Sequence, residues 1–331
     1  MQAKALQFTG PRAVEIAMVD VCQPAGAVLL RTLYSGISSG TELLAYRGEL
    51  PPDTALDDTL AGLSDGTFRY PFSYGYSSVA KVEVGTEAFP EGSTVFAFAP
   101  HRDWFAIAEA DLILLDADVD PRQATLFPLV ETALQMTLDA AQVFEHLVVV
   151  IGQGAVGLLV ALMLQRAGAR VVAVEPQQWR RDVAASLGVN AVAPDEASGV
   201  VTELTHGRGV SLVVEASGSP DALASSLSLL AHEGVALVGS WYGTKPVTLP
   251  LGGAFHRRRL TIKSSQVSTI PADQQSRWDV PQRRAIARSL LSKLPLAAIA
   301  TTEFAFSAAA DAYAALDQGV QGVLHVALRY D

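Results

Sequence analysis

The sequence predicts an α/β chain in two parts, a β-rich first part followed by a doubly wound parallel sheet. Three observations lead there. The first ~120 residues alternate β-branched and aromatic positions between Gly and Pro punctuation, the pattern of short antiparallel strands. From about Pro121, Val- and Ile-rich runs alternate with helical stretches, the signature of βαβ units. A glycine triplet, Gly152, Gly154 and Gly157, sits where the first of those runs meets the first helix. A length of 331 residues suits about two domains of roughly 150 residues each.

In order along the chain, Val28 to Tyr34, Ser78 to Val84 and Thr94 to Ala99 read as strands, bounded by residues such as Pro24, Gly26, Gly85, Pro90 and Gly92. Leu50 to Tyr70 holds Pro51-Pro52, Gly62 and Gly66 without a lasting period, which predicts a long loop. The expected parallel strands are Leu147–Ile151, Arg170–Val174, Ser211–Val214, Val235–Val238 and Leu260–Lys263. Helices are expected at Leu158–Ala167, Arg180–Leu187 and Ala222–Ala231. Helical stretches at Pro281–Leu291 and Ala308–Leu316 precede a last strand-like run at Val323–Leu328. The expected division is 1–120, 121–266 and 267–331.

Composition narrows the function classes. Hydrophobic residues are 50% and charged residues 18%, enough for a large core and wrong for a disordered chain. Lys and Arg total 24 against 34 Asp and Glu, a net charge of −10 that disfavours nucleic acid and anionic membrane surfaces. Leu147 to Leu164 is long and apolar enough to suggest a membrane span, but the glycines inside it fit a strand, a turn and a helix better. Met1 to Gly10 lacks the apolar stretch of a signal peptide. The single cysteine, Cys22, permits no internal disulfide and no multi-thiolate zinc site, and a reducing cytoplasm is expected.

Gly152-Gln153-Gly154-Ala155-Val156-Gly157 is a GxGxxG turn between strand and helix. In such a turn the first glycine permits the tight bend, the second lets a pyrophosphate approach the backbone, and the third packs helix on strand. The helix N-terminus then offers free N–H groups to the phosphates. Glu175 ends the next strand, about 20 residues on, where an acid accepts the adenosine ribose hydroxyls and repels a 2′-phosphate. A dinucleotide is expected, NAD rather than NADP. Arg180 and Arg181 leave NADP open, and Arg180 is also placed to stack on adenine.

Over essentially its whole length the chain resembles the medium-chain dehydrogenase/reductase superfamily. Leu33 to Leu44, LYSGISSGTELL, resembles the superfamily segment CGICGSDLH. Tyr74-Gly75-Tyr76-Ser77 followed by Lys81 to Gly85 resembles its GHE…GxVxxVG segment. Glu215-Ala216-Ser217-Gly218 and Gly234 to Gly239 resemble the loop after the fourth nucleotide-domain strand and the glycine-bounded fifth strand. Ser264-Ser265-Gln266-Val267, Arg277-Trp278 and Arg283-Arg284 resemble the subgroup named for 2-desacetyl-2-hydroxyethyl bacteriochlorophyllide dehydrogenase. The resemblance implies a GroES-like catalytic domain, a Rossmann domain and a C-terminal return.

The chain departs from the zinc-dependent pattern. Ser38, Tyr76 with Ser77, and Phe127 occupy the positions that ligate metal in zinc-dependent relatives, and a hydroxyl, a phenol and a benzene ring do not replace thiolate and imidazole. No zinc is expected. Stabilising charge on a substrate oxygen then falls to hydrogen-bond donors, with Tyr76, Thr41 and Ser38 as candidates and Glu42 as an orienting acid for Tyr76 or Arg47. Glu131 is a further candidate, facing a cleft, capping a helix or lying at the surface. Tyr46, His101 and Trp104 are possible pocket residues. Ser217, Gly239, Ser240 and Ser265 follow strands at the ligand-binding end of the sheet and are expected to contact the cofactor. The implied activity is hydride transfer between nicotinamide and an alcohol or ketone. Quinone or enone reduction and an inactive dinucleotide-binding protein are the alternatives. The expected partners are a small-molecule substrate and a second copy of the chain, joined through the edge strand Leu260–Lys263.

Overall fold

Ala3 and Ala5 are buried on one face of Gln2–Gly10 (β1) and Leu6 and Phe8 on the other, and the strand pairs antiparallel with Ala13–Asp20 (β2). The structure, a computed structural model, describes every residue except 58, 61, 64 and 65. The long strand Ala27–Ile37 (β3) leads into a short helix, Thr41–Arg47 (α1), which Gly48 stops in the left-handed conformation, φ 73°. Ser78–Val84 (β4), Thr94–Ala97 (β5), Trp104–Ala108 (β6) and Leu112–Leu114 (β7) follow. The described residues of the predicted loop at 50–70 form no helix or strand, only an isolated bridge between Ala55 and Thr67. Pro121–Ala124 (α2), capped by Asp120, precedes Phe127–Asp139 (α3).

The next stretch builds a sheet with every strand parallel. Leu147–Ile151 (β8) is followed by Ala155–Arg166 (α4), Arg170–Val174 (β9) and Gln178–Ser186 (α5). Asn190–Val192 (β10), Pro194–Thr205 (α6), Val210–Glu215 (β11), Pro220–Ser226 (α7), Leu230–Val238 (β12) and Thr261–Ser264 (β13) complete it. Its strand order, β10-β9-β8-β11-β12-β13, is the doubly wound Rossmann order with the switch point beside β8. Val148, Val149 and Val150 are fully buried, as a strand covered on both faces requires.

Val280–Leu290 (α8), Thr302–Ala305 (β14), Ala309–Asp317 (α9) and Val326–Arg329 (β15) close the chain. β15 pairs antiparallel with β3, so the C-terminus completes the first sheet, ordered β14-β15-β3-β4-β5-β7 with β6 also on β3. The chain forms two units, Met1–Pro128 with Arg288–Asp331, and Leu129–Ala287.

Two expectations need revision. The unit boundaries fall at 128/129 and 287/288 instead of 120 and 266, so residues 267–287 stay with the parallel sheet. There Arg283, 1% exposed, hydrogen-bonds Glu131, Gln135 and the Val267 carbonyl. The helix expected at Ala222–Ala231 ends at Ser226, and Leu230 already pairs with Val210 in the sheet. Leu and Ala at those positions suit either state, and burial of Leu230 between its neighbours decides for strand.

Candidate active site

The glycine turn after β8 shows a separate physical role at each glycine. Gly152 has φ 87°, and a Cβ there would stand 2.7 Å from the Ser217 Cα. A Cβ on Gly157 would lie 1.9 Å from the Gly152 carbonyl oxygen, so only glycine lets α4 pack this closely. Gly154, the residue before α4, has nothing within 4 Å of its Cβ direction. That space lies at the N-terminus of a 12-residue helix beginning Ala155-Val156, whose first N–H groups have no intrahelical acceptor. The turn fits a dinucleotide pyrophosphate. In the same turn Gln153 is fully buried and its amide oxygen has no hydrogen-bond partner.

Glu175 is 2% exposed and braces this turn, accepting N–H bonds from Gln153 at 2.8 Å and Gln177 at 2.9 Å. Each carboxylate oxygen keeps acceptor capacity for a ribose hydroxyl. The two arginines beyond it divide sharply. The Arg181 guanidinium is engaged by the carbonyls of Glu175 and Pro176 and by Gln178. Arg180 instead lies 5.1 Å over the Trp179 ring, and its buried Nε has no partner.

Loops after β11, β12 and β13 carry the predicted serines, and each hydroxyl is engaged within the same unit. Ser217 Oγ donates to Glu215 at 2.5 Å, Ser240 Oγ accepts the Gly218 N–H at 2.9 Å, and Ser265 Oγ donates to Asp139 at 2.6 Å. Glu215 is fully buried and also accepts from Tyr242, while the Gly239 N–H reaches its carbonyl at 2.9 Å. A Cβ at Gly239 would strike the end of Met136.

In the other unit, the turn between β3 and α1 gathers the predicted hydroxyls. Ser38 and Thr41 are the hydroxyls that neighbour the half-buried Tyr76. Burial first, then the negative charge of Glu42, pushes the Tyr76 phenol up to about 12, against the opposing pull of Ser38 and Thr41. At neutral pH this group keeps its proton and can donate it in a hydrogen bond.

Glu42 itself is fully buried and accepts the Ser38 backbone N–H at 2.8 Å. Its other oxygen bonds His101 Nε2 at 2.8 Å and the Tyr313 hydroxyl. His101, also fully buried, reaches Ser35 Oγ through Nδ1 at 2.7 Å, and Ser35 bonds the Tyr330 hydroxyl at 2.9 Å. One assignment satisfies every group: Tyr330 donates to Ser35, Ser35 to Nδ1, and Nε2–H to the carboxylate. Gly75 makes room for it, since a Cβ there would lie 2.6 Å from His101 Nε2. Arg47, expected as a possible Glu42 partner, binds Asp317 at 2.5 Å instead.

At two of the positions that resemble metal ligands the side chains have other partners. Ser77 donates its hydroxyl to the Thr125 carbonyl at 2.7 Å, and the fully buried Phe127 ring packs 4.6 Å from that of Phe96. Among the described residues no group of three or more His, Cys, Asp or Glu could hold a metal ion. Nor is any helix among them long and apolar enough to cross a membrane; the suspected stretch at 147–164 divides into β8 and α4. Glu131 lies in α3, held by Arg283 at 2.9 Å, and neither caps a helix nor stands free.

Fold and site together define the class: a GroES-like β domain joined to a Rossmann domain with a dinucleotide turn. Comparison with known proteins agrees. The zinc-binding dehydrogenase family matches residues 155–280, within the Rossmann part and clear of positions 38, 76 and 127. Across 95% of the chain, the sequence is 28% identical to 94% of the 2-desacetyl-2-hydroxyethyl bacteriochlorophyllide A dehydrogenase of Cereibacter sphaeroides. The fold matches 2R,3R-butanediol dehydrogenase from Bacillus subtilis with TM-score 0.80 and 19% identity, covering 99% of this chain and 100% of that one. It also matches an alcohol dehydrogenase from Escherichia coli CFT073 complexed with NADH, with TM-score 0.77, 16% identity and 99% coverage of each. Over nearly its whole length the chain is thus similar to dehydrogenases of the medium-chain dehydrogenase/reductase superfamily.

Proposed function

We propose that the protein is a zinc-independent NAD(P)-dependent dehydrogenase that moves hydride between nicotinamide and an alcohol or ketone. The observation that carries this reading is the open space over Gly154, at the start of α4 and braced by Glu175. Nicotinamide, when bound, supplies or accepts the hydride. The chain's own residues hold the substrate oxygen. Tyr76 donates a hydrogen bond to it, while Ser38 and Thr41 orient the phenol and pass its proton. The buried Glu42, fixed by His101 and Tyr313, holds the Ser38 turn. Glu175 favours NAD, and Arg180 is the residue able to accept a 2′-phosphate. We assign cofactor contact to Gly152, Gly154, Ala155, Val156 and Gly157, and to the loops of Ser217, Gly239, Ser240 and Ser265. With Cys22 free and exposed, a reducing cytoplasm suits the chain.

The test combines binding and metal content. Gly154→Val places a side chain where the pyrophosphate lies and should abolish NAD binding by calorimetry while leaving the thermal transition near that of the wild type. Unchanged NAD affinity in a folded variant would overturn the cofactor site. Protein purified without added zinc should hold far less than one metal per chain and keep its alcohol oxidation in chelator. Stoichiometric zinc with chelator-sensitive turnover would refute the metal-free reading. Turnover confined to enones or quinones would redirect the substrate class.

A further inference from the structure

A cleft of about 520 Å³ opens in the GroES-like unit, between Leu56, Leu63 and the 66–73 run on one side and Pro100 and Arg102, before β6, on the other. Its volume is that of a small-molecule site. Leu56, Leu63, Tyr70 and Phe72 supply apolar wall, and Arg69 and Arg102 bring two guanidinium groups to the same space. The two arginines are in different electrostatic situations. Arg69 pairs with Asp53 in full solvent, an exchangeable contact of little strength. Arg102 is partly buried, its Nε is shielded from solvent without a hydrogen-bond partner, and no described carboxylate pairs with it.

A buried guanidinium without a counter-ion is costly, and burial accordingly lowers the Arg102 pKa. The chain nevertheless holds this residue firmly. The backbone at Arg102 bridges to Ala5 of β1, its carbonyl accepts the Thr32 hydroxyl at 2.5 Å, and the neighbouring Asp103 binds the Lys4 N–H at 2.8 Å. Phe72, on the facing wall, is pinned by a bridge to Phe8 and a ring stack at 5.0 Å. The cation is therefore presented by rigid backbone beside an apolar wall.

We propose that this cleft binds a carboxylate carried on an apolar molecule, with Arg102 as its counter-ion. The carboxylate accepts from the Arg102 fork and draws Arg69 from Asp53, while the apolar body lies along Leu56, Leu63 and Phe72. The site stands on one unit and requires no nucleotide, so it goes beyond the dehydrogenase reading and is tested apart from it.

The experiment uses the full chain without cofactor, titrated with 4-phenylbutyrate, its amide, and inorganic phosphate. The acid should bind about tenfold or more tightly than the amide, reflecting a charge-assisted pair. Arg102→Met should erase that difference and leave amide affinity unchanged, while Arg69→Met should alter acid affinity by no more than about threefold. In the wild type, the Arg102 Nε–H resonance should move with the acid and stay still with the amide, a readout that holds even where a variant fails to fold. Equal binding of acid and amide, an undiminished preference in folded Arg102→Met, or an unmoved resonance would each overturn the proposal. Phosphate binding as tightly as the acid would also overturn it, since the apolar wall would then contribute nothing.

Discussion

At the residue scale, Tyr76 is the donor we propose for the substrate oxygen, and its protonation is the property to test. The ring lies against Tyr74, 5.9 Å between centroids, and its phenol is raised to about 12 by burial and by Glu42. Tyr76→Phe keeps the ring and removes the donor. Loss of one such donor costs about 2.7–4 kcal/mol, or roughly a hundred- to a thousand-fold in kcat. NAD affinity should stay within about twofold, because uniform binding of the cofactor is not what the phenol supplies. Near-normal kcat in a folded variant would make Tyr76 a packing residue and pass the role to Thr41. The candidates Ser38, Thr41 and Tyr76 were legible because two short segments carry the superfamily's pattern with altered residues. The partners of Glu42 were not. His101 and Tyr313 lie 59 and 271 positions away, and no periodicity links residues joined only by the fold. Gly75, between two tyrosines, is the one local sign that something must pass close beneath the chain.

At the element scale, one buried contact ties α2 and β3 to the segment entering β15, and it makes stability depend on pH. His325, 2% exposed, bonds Thr125 Oγ1 at 2.9 Å, and a Cβ on Gly36 of β3 would lie 2.9 Å from its ring. Thr125 gives its own hydroxyl proton to the Arg122 carbonyl at 2.6 Å, so it accepts from a neutral imidazole. Burial lowers the His325 pKa to about 4. The unfolded chain takes up this proton near pH 6.5 and the folded chain near 4, so the contribution is complete above 6.5 and is lost as pH falls toward 4. The loss approaches roughly 3 kcal/mol. Urea unfolding at pH 7, 5.5 and 4.5 should show a steeper fall in the wild type than in His325→Gln, and parallel curves would refute the assignment. The central strands β8, β9 and β11 were legible because both faces are covered and each reads as a Val-rich run. The hairpin β1–β2, α1, α3, α6 and β10 were not anticipated. Short or mixed segments such as Pro194–Thr205 gain their helical state from a cap and a packed face, here Ala197 and Val201, more than from a period visible beforehand.

At the scale of the whole molecule, the β13 edge of the parallel sheet bears on assembly. Thr261–Ser264 (β13) ends the parallel sheet with β12 on one side only among the described residues, and open strand edges invite further pairing. The segment between β12 and β13 carries exposed apolar side chains at Trp241, Val247 and Leu251, 44%, 36% and 47% accessible. A twofold axis through this edge would pair β13 with its copy, extend the sheet across the axis and cover apolar surface from both chains. Such an interface, mixing strand pairing with apolar contacts, depends little on salt, because screening weakens charges far more than burial. Light scattering at micromolar concentration should therefore give twice the 35.0 kDa chain mass, unchanged between low and high salt. Replacing Leu251 with Lys adds two like charges across the axis and should shift the equilibrium toward monomer without altering the isolated chain's fold. A monomeric wild type under these conditions would remove the edge-pairing assembly and leave the dinucleotide turn, which follows β8 three strands in from that edge, as it stands.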